Sequence, residues 1–150
     1  MITVSDRCAA GEAEDLSGPA VARLLESAGI EVTNSNLIPD EADEIRALLR
    51  EAGADLVVTT GGTGLGPRDV TPQATAQELD YQVPGLGEEM RRAGLASTPL
   101  SVLSRGLAGV RGRTLILNLP GSERAATESL AAVLPVLGHA LELLRGRTAH

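Results

Sequence analysis

The chain has 150 residues and a mass of 15.5 kDa, the size of one domain with one core. It carries no Lys, Phe or Trp, a single Tyr and a single Cys, and its 13 Arg stand against 20 acidic residues for a net charge of −7. These counts exclude Schiff-base chemistry, a P-loop lysine, an internal disulfide and a cysteine-built zinc cluster, and they argue against nucleic acid as a partner.

Met1–Ser5 is a short apolar run and reads as a buried first strand. It is short for that place, which points to residues upstream of it. Residues 8–16 are small and acidic and read as a loop. Val21, Leu24, Leu25 and Ala28 recur at helical spacing, so a helix is expected from an N-cap at Ser17 to a stop at Gly29. Residues 30–38 carry β-branched side chains and read as a second strand. Asp40 precedes a helix with Ile45, Leu48, Leu49 and Ala52, closed by Gly53. Leu56–Val58 reads as a third, fully buried strand. Thr71-Pro72 is an N-cap and first-turn pair, so a helix starts there. A further helix is expected over 84–97, then two strands over 101–110 and 113–119 around an Arg/Gly turn. Pro120-Gly121-Ser122 opens a long apolar helix to about Leu144, which Pro135 should break or kink.

The strand–helix alternation predicts one α/β domain over residues 1–150, a mostly parallel sheet with helices on both faces. No apolar run is read as approaching the roughly 20 residues of a membrane span. No signal peptide is visible, so a cytoplasmic protein without a membrane partner is expected.

In an open α/β sheet, ligands sit beyond the carboxyl ends of the strands, near the point where strand order reverses. The residues that follow the expected strands are Ser5, Asp6 and Arg7, then Asp40, then the loop Gly61–Asp69, and finally Asn118 with the turn Pro120-Gly121-Ser122. Parallel strands would bring all of them to one edge. Four glycines within residues 61–66 free the backbone to aim several amides at one anion. The helix start at Ser122 offers the same service. Asp40 and Asp69 add hard oxygen ligands of the kind Mg²⁺ takes. The common phosphate motifs do not fit, because Pro67-Arg68 stands where a P-loop needs Lys and a hydroxyl residue. Pro67 also takes the place of the third glycine of a dinucleotide fingerprint. Asp40 fits equally as a helix cap and Asp69 as a loop-bonding residue. The residues alone therefore point to a small anionic ligand at the sheet edge. Cys8 and Tyr81 read as incidental or packing residues, His139 as structural and His150 as solvated.

Residues 59–75 (Thr-Thr-Gly-Gly-Thr-Gly-Leu-Gly-Pro-Arg-Asp-Val-Thr-Pro-Gln-Ala-Thr) resemble the signature of the MogA/MoaB family of molybdopterin-binding proteins, which includes the gephyrin G domain. Ordered blocks at Ile2–Arg7, Leu37–Glu41, Val83–Glu88 and Leu117–Ser122 extend the resemblance along nearly the whole chain. It implies a three-layer α/β/α fold, a homotrimer, and Mg-ATP-dependent adenylylation of molybdopterin with release of pyrophosphate. The adenylylated product would pass to a molybdenum-insertion protein. It implies that Asp40 and Asp69 are the key acidic residues, catalytic and holding Mg²⁺. It implies that Ser5, Asp6, Arg7, Thr60, Gly61, Gly62, Thr63, Gly64, Arg68, Asn118, Pro120, Gly121 and Ser122 bind pterin and nucleotide. With no lysine, phosphate charge would fall to Arg7, Arg68 and backbone amides. A non-catalytic molybdopterin carrier or scaffold is the alternative.

Overall fold

Mostly aliphatic runs form the inner strands, because a strand covered on both faces has no solvent side. In the computed structural model, which describes residues 1–147, β1 (Ile2–Val4), β3 (Leu56–Thr60) and β6 (Thr114–Leu119) are such strands. They join β2 (Asn36–Ile38), β4 (Tyr81–Gln82) and β5 (Ala108–Arg111) in one sheet of order β2-β1-β3-β6-β5-β4. The first four neighbours are parallel; β5 and β4 are added antiparallel.

Alternate residues of each strand enter opposite layers. Val58, Leu115 and Leu117 pack with α2 (Ser17–Ser27), α5 (Pro84–Gly94) and α6 (Glu123–Leu144) through Val21, Leu25, Met90, Leu130 and Val133. Val57 and Ile116 pack with α3 (Ala42–Glu51) and α4 (Thr71–Ala76) through Ile45, Leu49 and Ala74. The result is the expected three-layer α/β/α fold with a mostly parallel sheet. A short α1 (Asp6–Ala9) replaces the first part of the expected acidic loop.

Several local expectations change. Ser17 does not cap α2: the Gly18 amide donates to Asp15 Oδ1 at 2.9 Å, while the Ser17 hydroxyl donates to Thr60 Oγ1 at 2.9 Å. Only residues 36–38 of the expected second strand pair, because β1 offers three residues to pair with. The expected strand over 101–110 begins instead as a 3-10 turn, Pro99–Leu103, whose start is capped by the Thr98 hydroxyl. Thr71 is the first residue of α4 and not its cap. Helix α6 runs unbroken past Pro135, which lies on its exposed side, while Leu130, Val133, Leu137 and Leu141 anchor the other side. By length and composition α6 also qualifies as a membrane span, contrary to the reading of the apolar runs; here its inner face is part of the core. His139 and Tyr81 are exposed, and His150 lies outside the described residues.

Candidate active site

Strand order reverses between β1 and β3, since the chain leaves β1 for β2 on one side and returns as β3 on the other. The crevice beyond their carboxyl ends is where a ligand is expected in such a sheet. Gly61 lies there with φ +93° and its amide donating to Leu119 O at 3.0 Å. A side chain at Gly61 would collide with the Val4 carbonyl. A side chain at Gly121 would come 3.3 Å from Gly61 Cα, so the Pro120-Gly121-Ser122 turn lies directly against the glycine loop. Glycine is required at Gly61 for the approach of β1, and Gly121 lets the turn sit against it without strain. The amides of Gly62, Thr63 and Gly64 donate to nothing among the described residues. Ser122 caps α6, its hydroxyl accepting from the Ala125 amide at 3.2 Å.

The carboxylates are held in distinct ways. Asp6 and Asp40 exchange bonds across the ends of β1 and β2: the Asp6 amide donates to Asp40 Oδ2 and the Asp40 amide to Asp6 Oδ1, both at 2.9 Å. Asp40 therefore does not cap α3, whose N-cap residue is Glu41. Asp40 is only 9% exposed, and this burial pushes its carboxyl above the usual range. Asp6 is held below that range, chiefly by hydrogen bonds from Arg68. Asp69 Oδ2 accepts from the Gly66 amide at 2.9 Å, folding the loop back on itself.

Of the two arginines expected to meet phosphate, Arg68 is paired with carboxylates and Arg7 is not. Arg68 donates to both Asp6 oxygens at 3.0 and 3.1 Å and to Glu41 Oε1 at 2.7 Å. It clasps three loops together and is not a free cation. Arg7 is exposed, and its side chain makes no hydrogen bond or ion pair among the described residues. Other side chains named from the sequence turn inward. Ser5 caps α1 by accepting from the Cys8 amide. Thr60 accepts from Ser17. Thr63 is buried beside the Ser104 hydroxyl, at 3.4 Å. Asn118, 1% exposed, donates to Thr59 Oγ1 and Thr75 Oγ1 at 3.1 and 3.0 Å. Thr60, Thr63 and Asn118 therefore shape the site from beneath it.

A match to known proteins fits this geometry. Residues 1–139 match the family model described as "probable molybdopterin binding domain".

The chain belongs to this family.

It is 40% identical over 152 residues to a protein named molybdopterin adenylyltransferase from Helicobacter pylori, covering 97% of this chain and 86% of that one. It is 42% identical over 149 residues to the molybdenum cofactor biosynthesis bifunctional protein of Synechococcus elongatus, covering 97% of this chain but only 47% of the relative. The chain thus spans about half the length of that larger relative. Among solved structures, the molybdopterin biosynthesis enzyme MoaB of Thermus thermophilus superposes with a TM-score of 0.91 at 54% identity, covering 97% of this chain and 94% of the other.

Two features of this family member escaped the sequence reading. Arg105 donates through Nε to Gly64 O at 2.8 Å and through Nη2 to Asp69 O at 2.7 Å, and its amide donates to Thr63 O at 2.8 Å. It is a three-point clamp on the glycine loop. A narrow cleft beside the loop, about 10 Å³, is lined by Met90, Arg91, Ser104, Asn118 and Pro120. A wider groove of about 860 Å³ opens near Ile30, Leu48, Gly53 and Leu141, and contains none of the candidate residues.

Proposed function

We propose that this chain is a molybdopterin adenylyltransferase of molybdenum cofactor biosynthesis, using Mg-ATP and releasing pyrophosphate. The observation that carries the reading is the meeting of two glycine loops, at Gly61 and Gly121, beside Asp40 and Asp69 at the strand-order reversal. The names of the relatives support the same activity.

A terminal phosphate oxygen of molybdopterin attacks the α-phosphorus of ATP. The bond from that phosphorus to the bridging oxygen breaks, and pyrophosphate leaves with the electron pair. The nucleophile is already anionic, so no strong base is required, and catalysis reduces to positioning and charge neutralisation. The unpaired amides of Gly62, Thr63 and Gly64 bind phosphate oxygens. Arg7 offsets charge from the rim, and Arg68 holds the rim together.

Asp40 and Asp69 fit Mg²⁺. Among the described residues no donor reaches Oδ1 of either carboxylate. Nor does any group of three or more His, Cys, Asp or Glu gather among those residues. Mg²⁺ commonly takes one or two carboxylates and completes its shell with substrate phosphates and water. When bound it neutralises phosphate charge.

Exposed Leu95, Leu100, Val102 and Leu103, at the end of α5 and along the following turn, support self-association, and the trimeric state is taken from the family resemblance. The longer relative is named a bifunctional protein of molybdenum cofactor biosynthesis, which supports a partner acting elsewhere in that biosynthesis; the family resemblance makes it a molybdenum-insertion protein. Incubation with molybdopterin and Mg-ATP tests the activity, with pyrophosphate and adenylyl-molybdopterin as the products expected. Tight molybdopterin binding without product would replace the enzyme by a carrier.

A further inference from the structure

Thr71 is fully buried, and its Oγ1 is the single buried side-chain oxygen or nitrogen among the described residues without a hydrogen-bond partner. Leaving a hydroxyl unpaired in the interior is costly, and native proteins rarely do so without a use for it. The Thr71 backbone is already satisfied, its amide donating to Gly62 O at 3.1 Å.

Its surroundings identify the use. A Cβ on Gly62 would collide with Thr71 Oγ1 and come within 2.9 Å of Asp40 Oδ1. The two oxygens therefore converge on one side of Gly62 Cα. One carries a proton with no acceptor. The other is a carboxylate oxygen that receives no donor among the described residues, since Asp40 Oδ2 alone takes the Asp6 amide. The two do not bond each other in this state. Gly62, at φ +66° and without a side chain, leaves open the space that both oxygens border.

We propose that Thr71 is a positioning residue for Asp40: when a phosphate-bearing ligand settles the glycine loop, the Thr71 hydroxyl donates to Asp40 Oδ1 and fixes the carboxylate's orientation. Asp40 is then oriented by the Asp6 amide on one oxygen and Thr71 on the other, and the second lone pair of Oδ1 stays open to Mg²⁺. The free protein carries the unpaired hydroxyl, and the bound state relieves it. This assignment rests on the adenylyl-transfer reading for its consequence in turnover, but its energetic signature is independent of turnover.

The experiment compares wild type with T71V, T71A and T71S. Val removes the hydroxyl at nearly constant shape, Ala removes it without pressing on Gly62, and Ser keeps it. Thermal unfolding is measured with and without Mg-ATP, and steady-state turnover with molybdopterin and Mg-ATP. At least one of T71V and T71A is expected to unfold no lower than wild type in the free state. Both should show a smaller Mg-ATP-induced rise in midpoint and a raised KM for Mg-ATP, and kcat should fall at least tenfold with the KM for molybdopterin little changed. T71S should restore the wild-type values. Full Mg-ATP stabilisation and wild-type kcat in both T71V and T71A would overturn the role of Thr71, as would failure of T71S to rescue. Absence of turnover in the wild type overturns the adenylyl-transfer reading instead. Thr71 is then decided by the midpoints alone: a Mg-ATP-induced rise reduced in T71V and T71A and restored in T71S supports it, and equal rises in all four proteins, or none, refute it.

Discussion

Gly61→Ala tests how tightly the crevice is built. The glycine sits at φ +93°, outside the range an L-residue adopts without strain, and its missing side chain makes room for the Val4 carbonyl. Two penalties follow. A left-handed backbone costs an L-residue about 1–2 kcal/mol. Forcing a methyl into packed surroundings costs about 1–3 kcal/mol more, and here the obstacle is backbone and cannot swing aside. The total, about 2–5 kcal/mol, is a large share of the roughly 5–15 kcal/mol that a domain possesses. It should lower the melting temperature by roughly 4–20 °C at about 2–4 °C per kcal/mol. Gly112→Ala is the internal control, because Gly112 also has positive φ, +58°, but a Cβ there meets nothing within 4 Å. Thermal or denaturant unfolding of both variants separates the dihedral penalty from the collision. Equal destabilisation of the two would refute the claim that β1 and the glycine loop are in obligatory contact.

Asp40→Asn should retain the fold and lose adenylyl transfer by at least about 100-fold, roughly 2.7 kcal/mol of barrier. The folded-state carboxyl is raised by burial, so ionising Asp40 costs stability as pH rises above the ordinary value of 3.8. The Asn variant should therefore be at least as stable as wild type at neutral pH; a destabilised variant contradicts this. Arg105→Ala should cost about 1–3 kcal/mol, because the Gly64 and Asp69 carbonyls lose their donor, and should weaken Mg-ATP binding about tenfold. Lys at 105 should not rescue it, since the fork is needed, and calorimetric titration checks both. Glu78 is buried against Arg46, Arg50 and Arg111, and the Arg50 and Arg46 hydrogen bonds depress its carboxyl below the ordinary 4.5. A depressed folded-state value means stability present above 4.5 and lost as pH falls through the lower folded value. Glu78→Gln should thus cost about 1–3 kcal/mol at neutral pH and converge with wild type in acid, read from unfolding across pH.

The sequence is most informative where periodicity is long. α2, α3, β3, β6 and α6 follow from apolar spacing that the layers then bury. β4 is illegible because it has two exposed residues, Tyr81 and Gln82, and exists only through pairing with β5. Residues 101–110 mislead because Val102 and Leu103 look like strand residues but are exposed on a turn. In the site, the glycine loop and Asp40 are visible because they follow strands. Arg105 gives no local signal, as its partners lie 36 and 41 residues away. Arg68 is visible as a charge but not as a clasp, because Asp6 and Glu41 meet it only after β1 and β2 pair. The unpaired Thr71 hydroxyl is likewise a property of packing, hidden behind an ordinary helix-start pattern.

In the proposed reaction, two glycine loops and two aspartates at the β1–β3 crevice perform adenylyl transfer. The most direct measurement is a single-turnover reaction of the purified chain with molybdopterin and Mg-ATP, following pyrophosphate and adenylyl-molybdopterin together, beside Asp69→Asn. Equimolar appearance of both products in wild type, and loss of both in a folded Asp69→Asn, is the predicted result. Molybdopterin retained unchanged by wild type, or equal turnover in the Asn variant, would contradict it.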